Sequence, residues 1–375
     1  MHTSLCDDFG IEFPIFAFSH CRDVVAAVSR AGGMGVLGAL AFTTEQLEIE
    51  LRWIDDHVDG KPYGVDVVMP ASSVGEGAGA LDLEKMIPDA HRQFVEDTLR
   101  RFNVPPLPAD VPAAAGLLAW THDKARTQVE VALAHPIRLL ANALGAPPPD
   151  VIEKAHAHGV KVAALVGNAH QAQQQVAAGT DIIVASGYEA GGHTGEVTSM
   201  VLIPEVVSAV APRPVLAAGG IGSGRQAAAA LALGAQGVWT GSIWLTAAES
   251  DTHPVVQQKL FAATSRDTVR SRSMSGKPAR QLRTPWTDAW DAPDSPGALP
   301  MPLQFMVVAE AQSRMHRYCG DERTGAKDLV GTPVGQIVGS MRSARPAREI
   351  IYSIVEEYVE TVARMNATLD APVQG

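Results

Sequence analysis

Between residues 13 and 263 the chain alternates short apolar runs with amphipathic stretches. The runs are Phe13 to Phe18, Met34 to Leu37, Tyr63 to Met69, Ile137 to Ala141, Val160 to Val166, Asp181 to Ala185, Pro214 to Ala218 and Gly237 to Thr240. Each is short and apolar at consecutive positions, the pattern of a parallel strand covered on both faces. Helical patterns follow them at Arg22 to Ala31, Thr44 to His57, Lys124 to Ala134, Asp150 to His158, Ala169 to Ala178, Val201 to Ala211, Gly224 to Leu233 and Pro254 to Ala263. In the second of these, Leu47, Leu51 and Ile54 recur at helical spacing behind a threonine cap, Thr43 or Thr44. Eight such units close most simply into a (β/α)8 TIM barrel, whereas a doubly wound open sheet needs fewer strands.

Two regions break the rhythm. Residues 70–115 hold a Gly/Ser-rich loop from Ala71 to Ala80, a helix from Ala90 to Phe102 and a Pro-rich stretch from Val104 to Pro112. An interruption of that length after the third strand reads as a functional excursion, a lid or an interface element. Beyond residue 263 the composition shifts, and helices are expected at Phe305 to Tyr318 and Ala347 to Met365. The expected organisation is therefore a barrel over residues 1–263, with the insertion at 70–115. Residues 264–375 form a loop and helical segment packing on it. The last helix, with Ile350, Ile351, Ile354, Val355 and Tyr358, could cover the barrel or pair with a copy of itself in a homodimer.

Composition narrows the function. Hydrophobic residues make up 46% of the 375 positions, enough for a large core. Aromatics are only 5%, while 34 glycines and 25 prolines supply many tight loops, a balance that fits an α/β fold better than a β-sandwich. The net charge of −11 argues against nucleic-acid binding, although a local basic patch could hold a small anion. Cys6, Cys21 and Cys319 are odd in number and form no CxxC pair, so we expect no disulfide framework and a reducing cytoplasm. The first residues show no signal-peptide pattern, and no apolar run is long enough to span a membrane. Zinc-ligand spacing is absent, and no metal is expected.

In a barrel of this kind the chemistry sits in the loops after the strands. The loop after the seventh run, Ala218-Gly219-Gly220-Ile221-Gly222-Ser223-Gly224, leads into a helix. The next offers Thr240-Gly241-Ser242. Exposed backbone amides and a helix N-terminus make such turns anion sites, and together they predict a phosphate-bearing ligand. After the sixth run, His193 lies among Gly191, Gly192 and Gly195, so a flat ligand can approach it closely. An imidazole there is a candidate catalytic base. At the first strand end, Ser19, His20 and Cys21 invite a nucleophile reading, but nothing orients them as a triad. Phe18 and His20 read better as pocket lining. The basic run Arg266, Arg270, Arg272, Lys277, Arg280 and Arg283 is either a solvated face or a clamp for an anionic substrate tail. Trp286 and Trp290, at i,i+4 spacing, read as packing residues first and a substrate wall second.

These segments resemble the nitronate monooxygenases, formerly grouped as 2-nitropropane dioxygenases. The resemblance is carried by Ala26 to Gly38, by Glu189-Ala190-Gly191-Gly192-His193-Thr194-Gly195 and by Pro214 to Gly222. Gly241-Ser242 and Gly276-Lys277-Pro278-Ala279-Arg280 add to it. It implies a TIM barrel holding non-covalent FMN and His193 as catalytic base. It also implies phosphate contacts from Gly220, Gly222, Gly241 and Ser242, and ring or ribityl contacts from the first strand end (Ala17, Phe18), Gly187 and Gly192. Two positions depart from the family pattern. Ala17-Phe18-Ser19 stands where Ala-Pro-Met is usual, and Gly64-Val65-Asp66 where Gly-Val-Asn is common. Asp66 would bring a carboxylate near the flavin ring. With the insertion and the long C-terminal part, these changes point to an actinobacterial-type subgroup, some of whose relatives act on acyl-CoA intermediates of steroid ring breakdown.

The expected activity is FMN-dependent oxidation of alkyl nitronates by O2 to a carbonyl compound and nitrite. The alternative is an NAD(P)H-linked FMN reductase, or a dehydrogenase of a bulky acyl-CoA. In that case His20, Arg270 and Arg280 would face the substrate.

Overall fold

The computed structural model describes residues 1–69, 80–111 and 122–369. In its first half, helix α1 (Ser4–Phe9) precedes β1 (Ile15–Ser19), α2 (Arg22–Arg30), β2 (Met34–Gly38), α3 (Thr44–His57) and β3 (Tyr63–Val67). Then come α4 (Ala80–Lys85), α5 (Asp89–Arg101), α6 (His122–Leu133), β4 (Leu139–Asn142), α7 (Pro149–Ala157) and β5 (Lys161–Val166). The second half runs α8 (Ala169–Ala177), β6 (Ile182–Ser186), β7 (Gly192–His193), α9 (Ser199–Val210), β8 (Val215–Ala218), α10 (Gly224–Ala232) and β9 (Gly237–Thr240). It closes with α11 (Pro254–Ala262), β10 (Thr268–Ser271), β11 (Ala279–Leu282), α12 (Pro285–Asp291), α13 (Leu303–Tyr318), α14 (Ala326–Leu329) and α15 (Ala347–Ala367).

Eight parallel strands close into a barrel in the order β1-β2-β3-β4-β5-β6-β8-β9. Their side chains alternate between two apolar layers, which is why the runs read as continuously hydrophobic. Phe16, Met34, Val36, Leu139, Val184 and Leu216 fill the interior. Ala17, Val24, Val28, Val215 and Val238 belong to the layer between the strands and the outer helices. Helix α1, absent from the sequence reading, lies in the interior cluster through Leu5, Cys6 and Phe9. Phe9 meets Phe16 edge to face at 5.5 Å, and Thr3 bonds the carbonyl of Gln236, just ahead of β9, so α1 closes the N-terminal mouth.

The outer ring is completed by α15, which packs against α2 and α10. It buries Ile350, Ile351 and Ile354. Contact with α10 needs glycine at residue 224, because a Cβ there would sit 2.2 Å from Tyr358 N and 2.3 Å from Ile354 O. The Glu249 carboxylate accepts the Ala347 N–H at 2.9 Å and so caps α15. The ring position that the sequence pattern gave to Pro254 to Ala263 thus belongs to α15. Helix α11 instead joins a second core, through Val256 and Leu260.

That second core joins the two interruptions of the pattern. Leu83, Ile87, Val95 and Leu99 of the insertion pack with Leu303, Val307, Val308 and Met315 of α13, and with Trp286 and Trp290. Both tryptophans are packing residues, 6.1 Å apart edge to face. Buried Arg314 fastens the join by donating to the carbonyls of Val104 and Pro105 and pairing with Glu96 at 2.7 Å. The Gly/Ser-rich loop expected at Ala71 to Ala80 lies almost wholly outside the described residues. The basic run folds largely as the β10–β11 hairpin, whose second strand pairs with two-residue β7.

Candidate active site

The C-terminal strand ends open into a cavity of about 360 Å³. Phe18, Gly38, Asp66, Leu165, Ser186, Ala218 and Trp239 supply its wall from the barrel. Gly191 to His193, Gly219 to Ile221 and Gly241–Ser242 supply it from the loops. Met274, Phe305, Pro333 and Ile337 close it from the C-terminal part. One wall is aromatic. Phe18 stacks on Trp239 at 6.4 Å and meets the His20 ring edge to face at 5.1 Å. Gly38 makes room for this group, since a Cβ would lie 2.6 Å from the His20 ring and 2.9 Å from Phe18.

His193 lies in β7, where Ala279 of β11 pairs with it. Its Nε2 is 2.7 Å from the Ser275 hydroxyl, which also accepts the Lys277 N–H at 3.4 Å. Burial, with the Lys277 charge second, pushes the imidazole down to about 4, so the ring is neutral at pH 7. One ring nitrogen then keeps a lone pair for proton transfer.

His20 bonds the Gly38 carbonyl through Nδ1 at 2.9 Å. That acceptor fixes the proton on Nδ1; burial lowers the pKa of the ring and outweighs the opposing effect of the Gly38 carbonyl. Ser19 Oγ accepts the Cys21 N–H, and Cys21 is buried with its thiol pushed up by that burial. Neither has a histidine partner among the described residues.

Asp66 is the penultimate residue of β3, on the inner wall. It is 3% exposed, and its Oδ1 has no hydrogen-bond partner among the described residues. Desolvation pushes the carboxyl up to about 8.

The two glycine turns follow neighbouring strands, β8 and β9, and both border the cavity. Gly219 and Gly220 have φ of 104° and 67°, open to glycine and strained for other residues. The N–H groups of Gly220 and Ile221 have no acceptor among the described residues. In the adjacent turn, Ser242 Oγ accepts the Gly335 N–H at 2.8 Å, which leaves its own proton to donate. This donor set fits a phosphate. The N-terminus of α10 is not part of it, because Glu357 of α15 accepts the Gly224 N–H at 2.7 Å and pairs with Arg225 at 2.6 Å.

Of the residues expected at the site, Phe18, His20, Asp66, Gly192, His193, Gly220, Gly241 and Ser242 line the cavity. Five do not. Strand alternation turns Ala17 outward into the helix layer. Gly187 is covered by Ser199 and Glu189, and Gly222 packs on Ile243 and Ile337 with its N–H on Gln226. Arg280 is buried, donates twice to the Tyr188 carbonyl at 3.1 Å and stacks 4.5 Å from the Tyr188 ring. Arg270 stacks on the same ring at 5.3 Å and pairs with Glu196. Both arginines hold the loop that carries His193, a role that the charge run could not reveal.

Sequence reasoning missed Ser275 and the segment from Thr332 to Ile337. The latter lies between loops, with Val334 bonded to Arg280, Gly335 to Ser242 and Gln336 to Glu189. Its only signal is a pair of glycines, Gly331 and Gly335, in an aperiodic stretch.

The nitronate monooxygenase family model matches residues 3–357. The chain belongs to the nitronate monooxygenase family. A Mycobacterium tuberculosis protein with a provisional monooxygenase name is 54% identical, over 97% of this chain and 98% of its own. A Staphylococcus aureus protein, provisionally named a nitronate monooxygenase, is 27% identical over 92% and 94% of the two chains. Among solved structures, FabK from Thermotoga maritima is similar with a TM-score of 0.70 and 28% identity, over 98% of this chain and 99% of that one. The nitroalkane oxidase of Streptomyces ansochromogenes shares the fold, with a TM-score of 0.80 at 23% identity over 97% and 100%. Family membership makes this nitronate monooxygenase relative a flavin-dependent oxidoreductase.

Proposed function

We propose that this protein binds FMN and oxidises alkyl nitronates with O2 to a carbonyl compound and nitrite. The observation that carries the reading is a desolvated, neutral His193, anchored to Ser275, on the wall of a cavity that also holds two anion-binding turns. Gly220, Ile221, Gly241 and Ser242 would hold the phosphate. Phe18, Asp66, Trp239 and Gly192 would face the flat ring. The flavin, when bound, supplies the electron-accepting ring that the protein's own side chains lack.

The chain's residues then bind, orient and move a proton. His193 takes the α-proton of a neutral nitroalkane and so makes the nitronate in place. The bond to Ser275 keeps the ring aimed during transfer. Lys277, whose charge disfavours the imidazolium, favours an anion nearby. Phe18, Leu40, Met274 and Phe305 exclude water from the apolar end. Arg270 and Arg280 do not reach the cavity, which removes the support for a coenzyme A clamp.

The test is the visible spectrum of the purified protein, followed by O2 uptake and nitrite release with a panel of nitroalkanes and nitronates. We expect a yellow protein, with turnover of nitroalkane lost in His193→Asn. Bound FMN without nitrite from any nitronate overturns the reading. Anaerobic bleaching by NADH or NADPH would put a reductase in its place.

A further inference from the structure

At the level of the cavity floor the inward positions of the barrel strands are apolar apart from the Asp66 carboxyl and the Ser186 hydroxyl. Along β1, β2, β4, β5 and β9 the inward positions around the cavity floor include Phe16, Phe18, Met34, Val36, Leu139, Ala141, Ala163, Leu165 and Trp239. Asp66 is the one ionisable side chain at that level of the strands, paired in register with Gly38 on one side and Ala141 on the other. Neither neighbour offers a side-chain donor.

An ionised carboxylate in such a place is costly unless it is paired. Asp66 Oδ1 has no partner among the described residues, although the residue is 3% exposed. The other titratable groups on the cavity wall are His20, Cys21, His193 and Asp251. None of them acts on Asp66; desolvation and the Ala143 amide do. A carboxylic acid in its neutral form can donate a hydrogen bond, and an ionised one can only accept.

Building on the FMN reading, we propose that Asp66 is a proton-carrying donor that grips an acceptor atom of the ring system in the cavity, so that cofactor binding takes up one proton in mildly alkaline solution. The ligand chemistry is a heteroaromatic ring with a carbonyl oxygen or an imine nitrogen facing the wall. Such a ring holds Asp66 in its acid form to higher pH than in the empty cavity, where it titrates near about 8. Linkage then makes affinity fall as pH rises through that range, by about tenfold for each pH unit above it.

The experiment is calorimetric titration of the apoprotein with FMN at pH 9, in two buffers of different ionisation enthalpy. It is run with the wild type and with Asp66→Asn, whose amide remains a donor but cannot titrate. The wild type should take up close to one proton per FMN and Asp66→Asn none, while the two bind FMN alike at pH 6. Equal uptake in both proteins overturns the proposal, as does absence of uptake in the wild type. Loss of FMN binding at pH 6 in an Asp66→Asn protein that unfolds at the wild-type temperature also overturns it. Failure of the wild type to bind FMN at any pH would sink the cofactor reading instead, so the two failures are separable.

Discussion

His193 Nε2 and Ser275 Oγ lie 2.7 Å apart, although 82 residues separate them in the chain. The bond joins a loop of the barrel to the turn of a hairpin that the barrel itself does not contain. Ser275→Ala should therefore leave a base of the right chemistry in the wrong orientation. We expect kcat for a nitroalkane to fall by about 10²-fold with KM almost unchanged, since positioned acid–base groups contribute roughly 10²–10⁴. His193→Asn should do more, and preformed nitronate should rescue it in part. Equal loss with both substrates would show that His193 does not act by taking the α-proton.

The acidity of His193 gives a pH prediction with a definite sign. Its pKa is lowered to about 4, so the neutral, active form persists well below the ordinary histidine value. With a neutral nitroalkane, kcat/KM should hold steady from neutral pH downward and lose half its value near about 4. A limb near about 6.5, the unperturbed value, would contradict the burial that sets it.

Asp66 runs the opposite way. A folded pKa of about 8, far above the unfolded carboxyl, means that the folded apoprotein keeps a proton which the unfolded chain releases. Stability is then lost as pH rises through the interval from about 4 to about 8. Asp66→Asn removes that dependence. The gap in melting temperature between variant and wild-type apoprotein should shift in the variant's favour across that window. A constant gap would show that the carboxyl is not held neutral.

Gly224 tests the outer ring. A Cβ at this position meets the backbone of α15 at 2.2 Å, and backbone cannot swing aside as a side-chain tip can. Gly224→Ala should destabilise the protein by about 1–3 kcal/mol, the usual range for overpacking, or lift α15 away altogether. Thermal unfolding, with hydrogen exchange across residues 347–367, reads both outcomes.

Arg280 tests the loop anchor. Arg280→Ala leaves the half-buried Tyr188 carbonyl without its two donors, a loss of about 1 kcal/mol or more. The variant should melt lower and retain FMN less well, with no change in affinity for coenzyme A thioesters. Weaker thioester binding at unchanged stability would restore the clamp.

The barrel was legible because parallel strands covered on both faces leave short, unbroken apolar runs, and these lie within a few residues of the observed strands. His193 and the turns at Gly220 and Gly241 were legible because glycine clusters at strand ends have few structural causes. The rest leaves a weaker trace. Ala17 was misjudged because a run apolar at every position hides which side chains turn inward. Arg270 and Arg280 were misjudged because a charge run does not name its partners, and here the partner is one tyrosine and its carbonyl. Strand β7 has two residues, too few for any period to show. Thr332 to Ile337 has no regular structure and takes its place only through bonds to distant loops.

That last segment has a consequence for biosynthesis. The eight barrel strands are complete once Thr240 has been made, yet a wall of the cavity is still missing until Ile337 emerges. A nascent chain that ends at Thr240 therefore has all eight strands but neither that wall nor α15, which completes the outer ring. Full enclosure of the cavity must await the final part of synthesis.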